Sequence, residues 1–280
     1  MKKYILDILI VVLILAGVGL LLFPIISDHK NRSDASAVIV TYNSEINQKD
    51  TEEKEKMLQD AREYNRVMAG KGISVPGNAI PSYADQLNVT DTGIMGYIEI
   101  EKIGVQLPIY HDVDSGVLQI GVGHMPTSSL PVGGEDTHSV LSSHRGLPTA
   151  KLFTDLDKMK IGDTFTITVA DEVLIYEVDQ IKTVLPEEMR DLNIIPGEDL
   201  CTLVTCTPYG VNSHRLLVRG SRIHPDASMP ETLRVANDAI MVDPLVTTAI
   251  LSIVMLAVIN TVVVIRSHLR KKRRKEVEQA

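Results

Sequence analysis

Two apolar runs near the ends of the chain constrain it more than any other feature. Tyr4 to Ile26 carries a single charge, Asp7, over 23 residues, and Pro244 to Ile265 carries none over 22. As helices, both are long enough to cross a hydrocarbon core of about 30 Å. The first run exceeds the roughly 7 to 15 apolar residues of a secretory signal, and no small-x-small cleavage pattern follows Phe23-Pro24. It reads as an uncleaved anchor.

The charges around these runs orient them. Lys2 and Lys3 precede the first; Arg266, Arg270, Lys271, Lys272, Arg273, Arg274 and Lys275 follow the second. Because positive flanks stay on the cytoplasmic side, both termini are expected inside and the intervening chain outside. Of the 28 basic and 36 acidic residues, these nine basic residues and three acidic ones (Asp7, Glu276, Glu278) lie in the spans or tails. The middle keeps 19 basic against 33 acidic residues, a net of −14. An exported domain so acidic argues against nucleic acid as a partner, and the basic tail is more simply a stop-transfer flank.

Between the spans the pattern changes once. Residues 36–92 form a helical stalk in which charged residues such as Glu45, Lys49, Glu52 and Lys56 alternate with Ile46, Met57, Leu58 and Val67. Gly70, Gly72, Pro76, Gly77 and Pro81 then interrupt it. Residues 93–224 consist of short apolar runs separated by turns: Ile94 to Ile100, Val105 to Tyr110, Val117 to Val122, Ser139 to Ser142, Thr164 to Val169, Val173 to Val178, Leu200 to Thr205 and Leu216 to Val218. Eight brief strands at this spacing predict a mainly β domain, a closed or nearly closed barrel, with short helical inserts at Ala150 to Leu156 and Glu187 to Leu192. Residues 225–243 read as a linker to the second span, 244–265, and 266–280 as the tail.

The chemistry-bearing residues are few. Cys201 and Cys206 are five positions apart in one expected strand, on opposite faces and roughly 16 Å apart, too far for a disulfide. Cys201, between Leu200 and Leu203, suits the core. Cys206, in Thr205-Cys206-Thr207-Pro208-Tyr209-Gly210, lies where a strand meets a turn, a place where reactive groups are held by a rigid sheet. His111, His124, His138, His144 and His214 offer bases. Of these, His144 in Ser142-Ser143-His144-Arg145-Gly146-Leu147-Pro148 also sits between strand and turn. A zinc site is the competing reading, but the chain has no C-x-x-C pair. A cysteine nucleophile attacking an amide also needs a donor for the developing oxyanion. Arg215 and Arg219 share a parity after the cysteine, and periodicity does not choose between them.

The stretches Met95-Gly96-Tyr97-Ile98, Leu107-Pro108-Ile109-Tyr110-His111, Gly121-Val122-Gly123-His124, Thr137-His138-Ser139-Val140-Leu141, His144-Arg145-Gly146-Leu147-Pro148, Leu152-Phe153-Thr154, Thr205-Cys206-Thr207-Pro208-Tyr209-Gly210 and His214-Arg215-Leu216-Leu217-Val218-Arg219-Gly220 resemble the class C, pilin-building sortases. The resemblance runs from about Tyr83 to Ile223 in the family's order. It implies an eight-stranded sortase β-barrel with N-terminal amphipathic helices between two transmembrane helices. It also implies a cysteine transpeptidase on the outer face of a Gram-positive membrane, needing no metal or organic cofactor. Carried over by motif, Cys206 is the nucleophile, His144 the proton donor and Arg215 the oxyanion partner, which is what selects Arg215 over Arg219.

The implied partners are pilins or surface proteins bearing an LPXTG-type signal, the cell membrane and, for a cell-wall-attaching sortase, a peptidoglycan precursor. Pilin polymerisation is the first reading, wall attachment the second, and a silent membrane-tethered binding module the third. One departure stands out: the family's Asp-Pro-aromatic lid is absent from Gly72-Ile73-Ser74-Val75-Pro76-Gly77-Asn78-Ala79-Ile80-Pro81-Ser82-Tyr83, so an altered or missing lid is expected. The flanking charges predict that protease added to intact cells removes residues 36–243 and spares both tails; a tail cleaved from outside would reverse the topology.

Overall fold

In a computed structural model of the chain, the described residues are 2–70, 82–90 and 92–224. The second apolar run, the linker before it, the basic tail and most of the expected lid stretch lie outside them. Among the described residues one helix is long and apolar enough to cross a membrane, judged by length and composition.

That helix, α1 (Lys2–Gln48), leaves the large side chains Leu13, Leu20, Phe23 and Ile26 exposed along its apolar part. Further on it buries Ala35, Ile39, Tyr42 and Ile46, whose spacing of four, three and four residues draws one stripe along a helix. No breaker stands between Ile26 and Gln48, and α1 runs on into the stretch expected as the helical stalk. It stops at Lys49-Asp50. There the Asp50 side chain accepts from the Glu53 N–H at 2.8 Å and the Glu53 carboxylate accepts from the Asp50 N–H at 3.3 Å, a capping box that starts α2 (Thr51–Met68).

Helix α2 buries Leu58, Ala61 and Asn65. The Asn65 carboxamide donates to the Leu130 carbonyl at 3.1 Å and accepts from the Leu130 N–H at 2.7 Å, reproducing a strand-like pair at the side of the barrel. Lys54–Asp171 and Arg62–Glu172 ion pairs tie the exposed side of α2 to a β-turn, and such surface pairs add little stability individually.

Eight strands close the barrel: β1 (Ile94–Ile100), β2 (Val105–His111), β3 (Val122–His124), β4 (Thr137–Ser142), β5 (Thr164–Val169), β6 (Glu172–Val184), β7 (Asp199–Thr207) and β8 (His214–Ile223), in the spatial order β1-β2-β3-β4-β7-β8-β6-β5. The β2–β3 and β4–β7 pairs are parallel and the rest antiparallel. One expected strand is corrected. Val117 to Val122 is instead helix α3 (Ser115–Ile120) followed by the short β3, because the Asp114 carboxylate accepts from the Gly116 and Val117 N–H groups and caps a helical turn there. The two expected helical inserts shrink to single 3-10 turns at Leu156–Lys158 and Arg190–Leu192. β6 extends well beyond Val178 because it pairs with both β5 and β8.

The interior is filled by alternating residues such as Leu141, Cys201, Leu203, Leu216 and Val218. Phe165 and Tyr176 stack with ring centroids 5.5 Å apart. The Gly220 backbone passes so close that a Cβ there would sit 2.7 Å from the Phe165 ring, so a side chain at that position would displace the pair.

Tyr42 joins α1 to this barrel. Its hydroxyl, almost fully buried, donates to the Met95 carbonyl at 3.1 Å and accepts from the Ala170 N–H at 2.9 Å, and burial pushes its pKa up to about 12. Tyr42→Phe leaves both backbone groups buried without this partner. The expected cost is about 1–3 kcal/mol in denaturant unfolding, and an unchanged midpoint would show that the hydroxyl contributes nothing to the attachment.

Candidate active site

Strand direction determines where the reactive residues gather. Because β4 and β7 run parallel, their C-terminal ends lie at one end of the barrel, and β8, antiparallel to β7, begins there. Cys206 is the penultimate residue of β7 and is the direct register partner of Arg215 on β8. On the other side, Ser142 of β4 pairs with Val204 of β7. The ladder continues through Ser143, whose N–H donates to the Val204 carbonyl at 3.2 Å and whose carbonyl accepts from the Thr205 hydroxyl at 2.8 Å. Carrying the register forward two residues on each strand sets His144 beside Cys206. Cys206 and Arg215 thus stand side by side on β7 and β8, at a strand spacing of about 5 Å, and His144 follows two residues after the end of β4, the strand on the other side of β7.

All three are partly exposed, on the outer face of the barrel. Parity explains this: Cys201 and Leu203 face the main core, whereas Val204 and Cys206 face outward. Beneath Cys206 a second apolar cluster of Val140, Val184, Val204 and Leu217, with Met125 and Leu192 against it, forms a dry floor. Leu192 comes from the β6–β7 connection, which His138 pins down. The His138 Nδ1–H donates to the Asn193 carbonyl at 2.8 Å and its Nε2 accepts from the Thr202 hydroxyl at 2.7 Å.

Cys201 and Cys206 are both free thiols. Burial pushes the Cys201 thiol well above its usual range, which removes the thiolate a nucleophile requires. The two arginines also separate. Among the described residues Arg215 Nη1 donates to the nearby backbone carbonyls of Asn212 and His214, at 3.2 and 3.1 Å, and stays at the Cys206 end. Arg219 pairs in register with Thr202, four residues down the strand, and is held bidentate by Asp179 at 3.0 and 2.7 Å. That carboxylate raises the guanidinium's pKa and occupies its fork.

The remaining histidines are structural. His111 bridges the Gly93 carbonyl through Nδ1 and the Gln86 carbonyl through Nε2, at 2.9 and 2.7 Å. His124 is fully buried: its Nε2–H donates to the Ser129 carbonyl at 2.8 Å and its Nδ1 accepts from the Tyr83 hydroxyl at 2.9 Å. Tyr83, which closes the expected lid stretch, also accepts from the Asp112 N–H at 3.1 Å and lies against the His111 and His124 rings, so it is anchored at β3. His214 shares a hydrogen bond with Ser213.

A sortase domain model matches residues 98–223. The crystal structure of sortase C1 from Streptococcus agalactiae is 47% identical to this chain, with a TM-score of 0.63 over 68% of this chain and all of that one. The chain belongs to the sortase family. The Clostridium perfringens sortase C solved with the C-terminal cell wall sorting motif is 43% identical, with a TM-score of 0.60 over 68% of this chain and all of that one. Sortase A of Streptococcus agalactiae serotype III is 31% identical over 117 residues, covering 41% of this chain; the match spans about half of that relative's length, 47%. The structural relatives are thus class C sortases, members of a family of cysteine transpeptidases.

Sequence reasoning passed over Arg145 and Tyr209, which it quoted only within motifs. The Arg145 guanidinium lies 6.0 Å from the Tyr209 ring centroid, a contact between residues 64 positions apart that requires the β4–β7 pairing to be known.

Burial lowers the His124 pKa from 6.5 to about 4 and also lowers that of His138. A folded-state pKa below the unfolded value means that the unfolded chain takes up the proton first as pH falls. The His124 contribution is therefore complete above about pH 6.5 and is lost toward pH 4, at roughly 1 kcal/mol per pH unit. Unfolding free energies measured from pH 7.5 to 4.5 should fall, and less steeply in His124→Gln. Equal slopes would place the acid sensitivity elsewhere.

Proposed function

We propose that the chain is a membrane-anchored transpeptidase that cleaves an LPXTG-type sorting signal between Thr and Gly and joins the acyl group to a lysine amine of another pilin subunit. The observation that carries this reading is the Cys206↔Arg215 register pair at the end of the barrel where β4 also ends, two residues before His144. Its support from outside the chain is the likeness to class C sortases, one of them solved with a cell wall sorting motif.

The chemistry follows from that arrangement. The Cys206 thiolate attacks the Thr carbonyl carbon, and the carbonyl oxygen becomes an oxyanion. Arg215, unencumbered by a carboxylate, supplies N–H donors to that oxygen and to the substrate backbone, where charge-assisted bonds are strongest. As the C–N bond breaks, protonated His144 delivers its proton to the departing Gly amine, leaving a thioester on Cys206. The acceptor lysine amine then attacks the thioester and passes a proton to His144. An isopeptide bond forms and the Cys206 thiolate is released, with His144 protonated again. The site lies at the barrel surface rather than in a closed cavity, which suits a substrate that is the end of another folded protein. A cell-wall cross-bridge amine resolves the same acyl-enzyme in the second reading, and both readings share every residue role.

Residues 4–26 serve as the anchor, and residues 244–265, with their basic flank, as the second span that keeps both termini inside.

Full-length protein in detergent, mixed with an LPXTG-tagged pilin, should give a ladder of covalent oligomers on a denaturing gel. Cys206→Ala, His144→Ala and Arg215→Ala should each lower product at least about a thousandfold, whereas Cys201→Ala and Arg219→Ala retain most of it. A dead Arg219 variant beside a live Arg215 variant would reverse the arginine assignment. Cleavage of the tag without a ladder, together with transfer to an oligoglycine amine, would favour wall attachment.

A further inference from the structure

The backbone ladder between β4 and β7 ends just short of the reacting groups. Its last rungs are the Ser143 N–H to the Val204 carbonyl and the Thr205 hydroxyl to the Ser143 carbonyl. Cys206 remains paired with Arg215 of β8, but His144 lies two residues past the end of β4, where no β4–β7 rung fixes it to the cysteine. A group that lets imidazole and thiol drift by an ångström forfeits much of the rate. Something past the last rung must hold the two ends together.

We propose that Arg145 does this, as a positioning residue for the transfer reaction; the inference rests on the sortase reading above. Arg145 directly follows His144, and its Nη1 donates to the hydroxyl of Thr207, which directly follows Cys206, at 3.3 Å. The side-chain bond closes a loop of four residues, His144 and Arg145 on one strand end, Thr207 and Cys206 on the other. Nη2 pairs with Asp157, and the guanidinium plane lies near the Tyr209 ring, so the head is held from three directions. Only 8% of the side chain is exposed, a costly place for a cation whose single carboxylate partner is 47% exposed.

The loop behind it is shaped to match. Gly146 adopts φ +76°, and a Cβ there would come within 3.0 Å of the Tyr209 ring, so glycine lets the β7–β8 turn close over this loop. The Gly146 N–H donates to the Thr154 hydroxyl at 3.1 Å, and the Phe153 N–H donates to the His144 carbonyl at 3.1 Å. These bonds immobilise the backbone on both sides of Arg145 without touching Cys206. Arg145 spans from one strand end to the other. A lysine cannot replace it, because a single ammonium has no planar fork to reach Thr207 and Asp157 while stacking on Tyr209.

The test uses the full-length protein in detergent and a fluorogenic LPXTG-type peptide. Arg145→Gln is expected to lower kcat by about ten- to a hundredfold with KM within about threefold, and Arg145→Lys to recover little. Iodoacetamide labelling of Cys206, in a Cys201→Ala background, should change by less than about threefold, since the thiol itself is untouched. Thr207→Val should lower kcat less, and Arg145→Gln with Thr207→Val no further than Arg145→Gln alone. Arg222→Gln, which removes a comparable arginine stacked on Tyr176 at the far end of β8, should leave kcat unchanged whatever it does to the melting temperature. Wild-type kcat in Arg145→Gln would overturn the proposal. So would a loss that multiplies with that of Thr207→Val, or one that vanishes at a temperature where the variant is fully folded. A wild-type protein that does not cleave the peptide would overturn the sortase reading first, before any variant is compared.

Discussion

The parallel pairing of β4 with β7 is the constraint on which the rest depends. An antiparallel pair there would set the end of β4 beside the beginning of β7, and His144 would face Asp199 rather than Cys206. With the parallel pair in place, the antiparallel β7–β8 hairpin completes the site, since residues flanking a hairpin turn are register partners. Three residues from three sequence regions are thereby set side by side with no long loop bridging them. The topology brings the strand ends together through backbone hydrogen bonds, and side chains act only beyond the last rung.

Much of the barrel was legible in the sequence because its strands alternate cleanly: the runs at Ile94, Val105, Thr164 and Leu200 carry the apolar parity that a closed sheet needs. Val117 to Val122 was not, because an apolar run of six says nothing about whether Asp114 will cap it into a helix. The site was legible in part. Cys206 and His144 announce themselves by standing where strand meets turn, and Arg215 enters through its motif. Arg219 shares every local feature of Arg215 and differs only in facing Asp179, a residue 40 positions away across a bulged pair. Charge partners at that separation leave no periodic trace.

The buried histidines illustrate a division of labour by environment. Four of the six in residues 93–224 are engaged with carbonyls or hydroxyls, and those best enclosed, His124 and His138, are held neutral by burial. Their tautomers follow from their partners: Nε2–H in His124, Nδ1–H in His138. A residue type often taken as a mark of catalysis here serves mainly as a two-ended connector. The same count of histidines that suggests a metal centre in a linear sequence becomes a set of cross-links between loops and strands.

The buried stripe of α1 has a consequence for what counts as the domain. The stretch shared with the family model begins at residue 98, yet Ala35, Tyr42, Ile46, Leu58 and Ala61 belong to the same hydrophobic cluster as the barrel strands. The unit of inheritance and the unit of folding therefore have different edges. A fragment cut at the inherited edge would lose the first residues of β1 and present the flank of its barrel to water, with the Ala170 N–H stripped of its phenolic partner. The smallest piece that keeps its own interior intact therefore begins within α1, before Ala35, more than sixty residues ahead of the inherited edge.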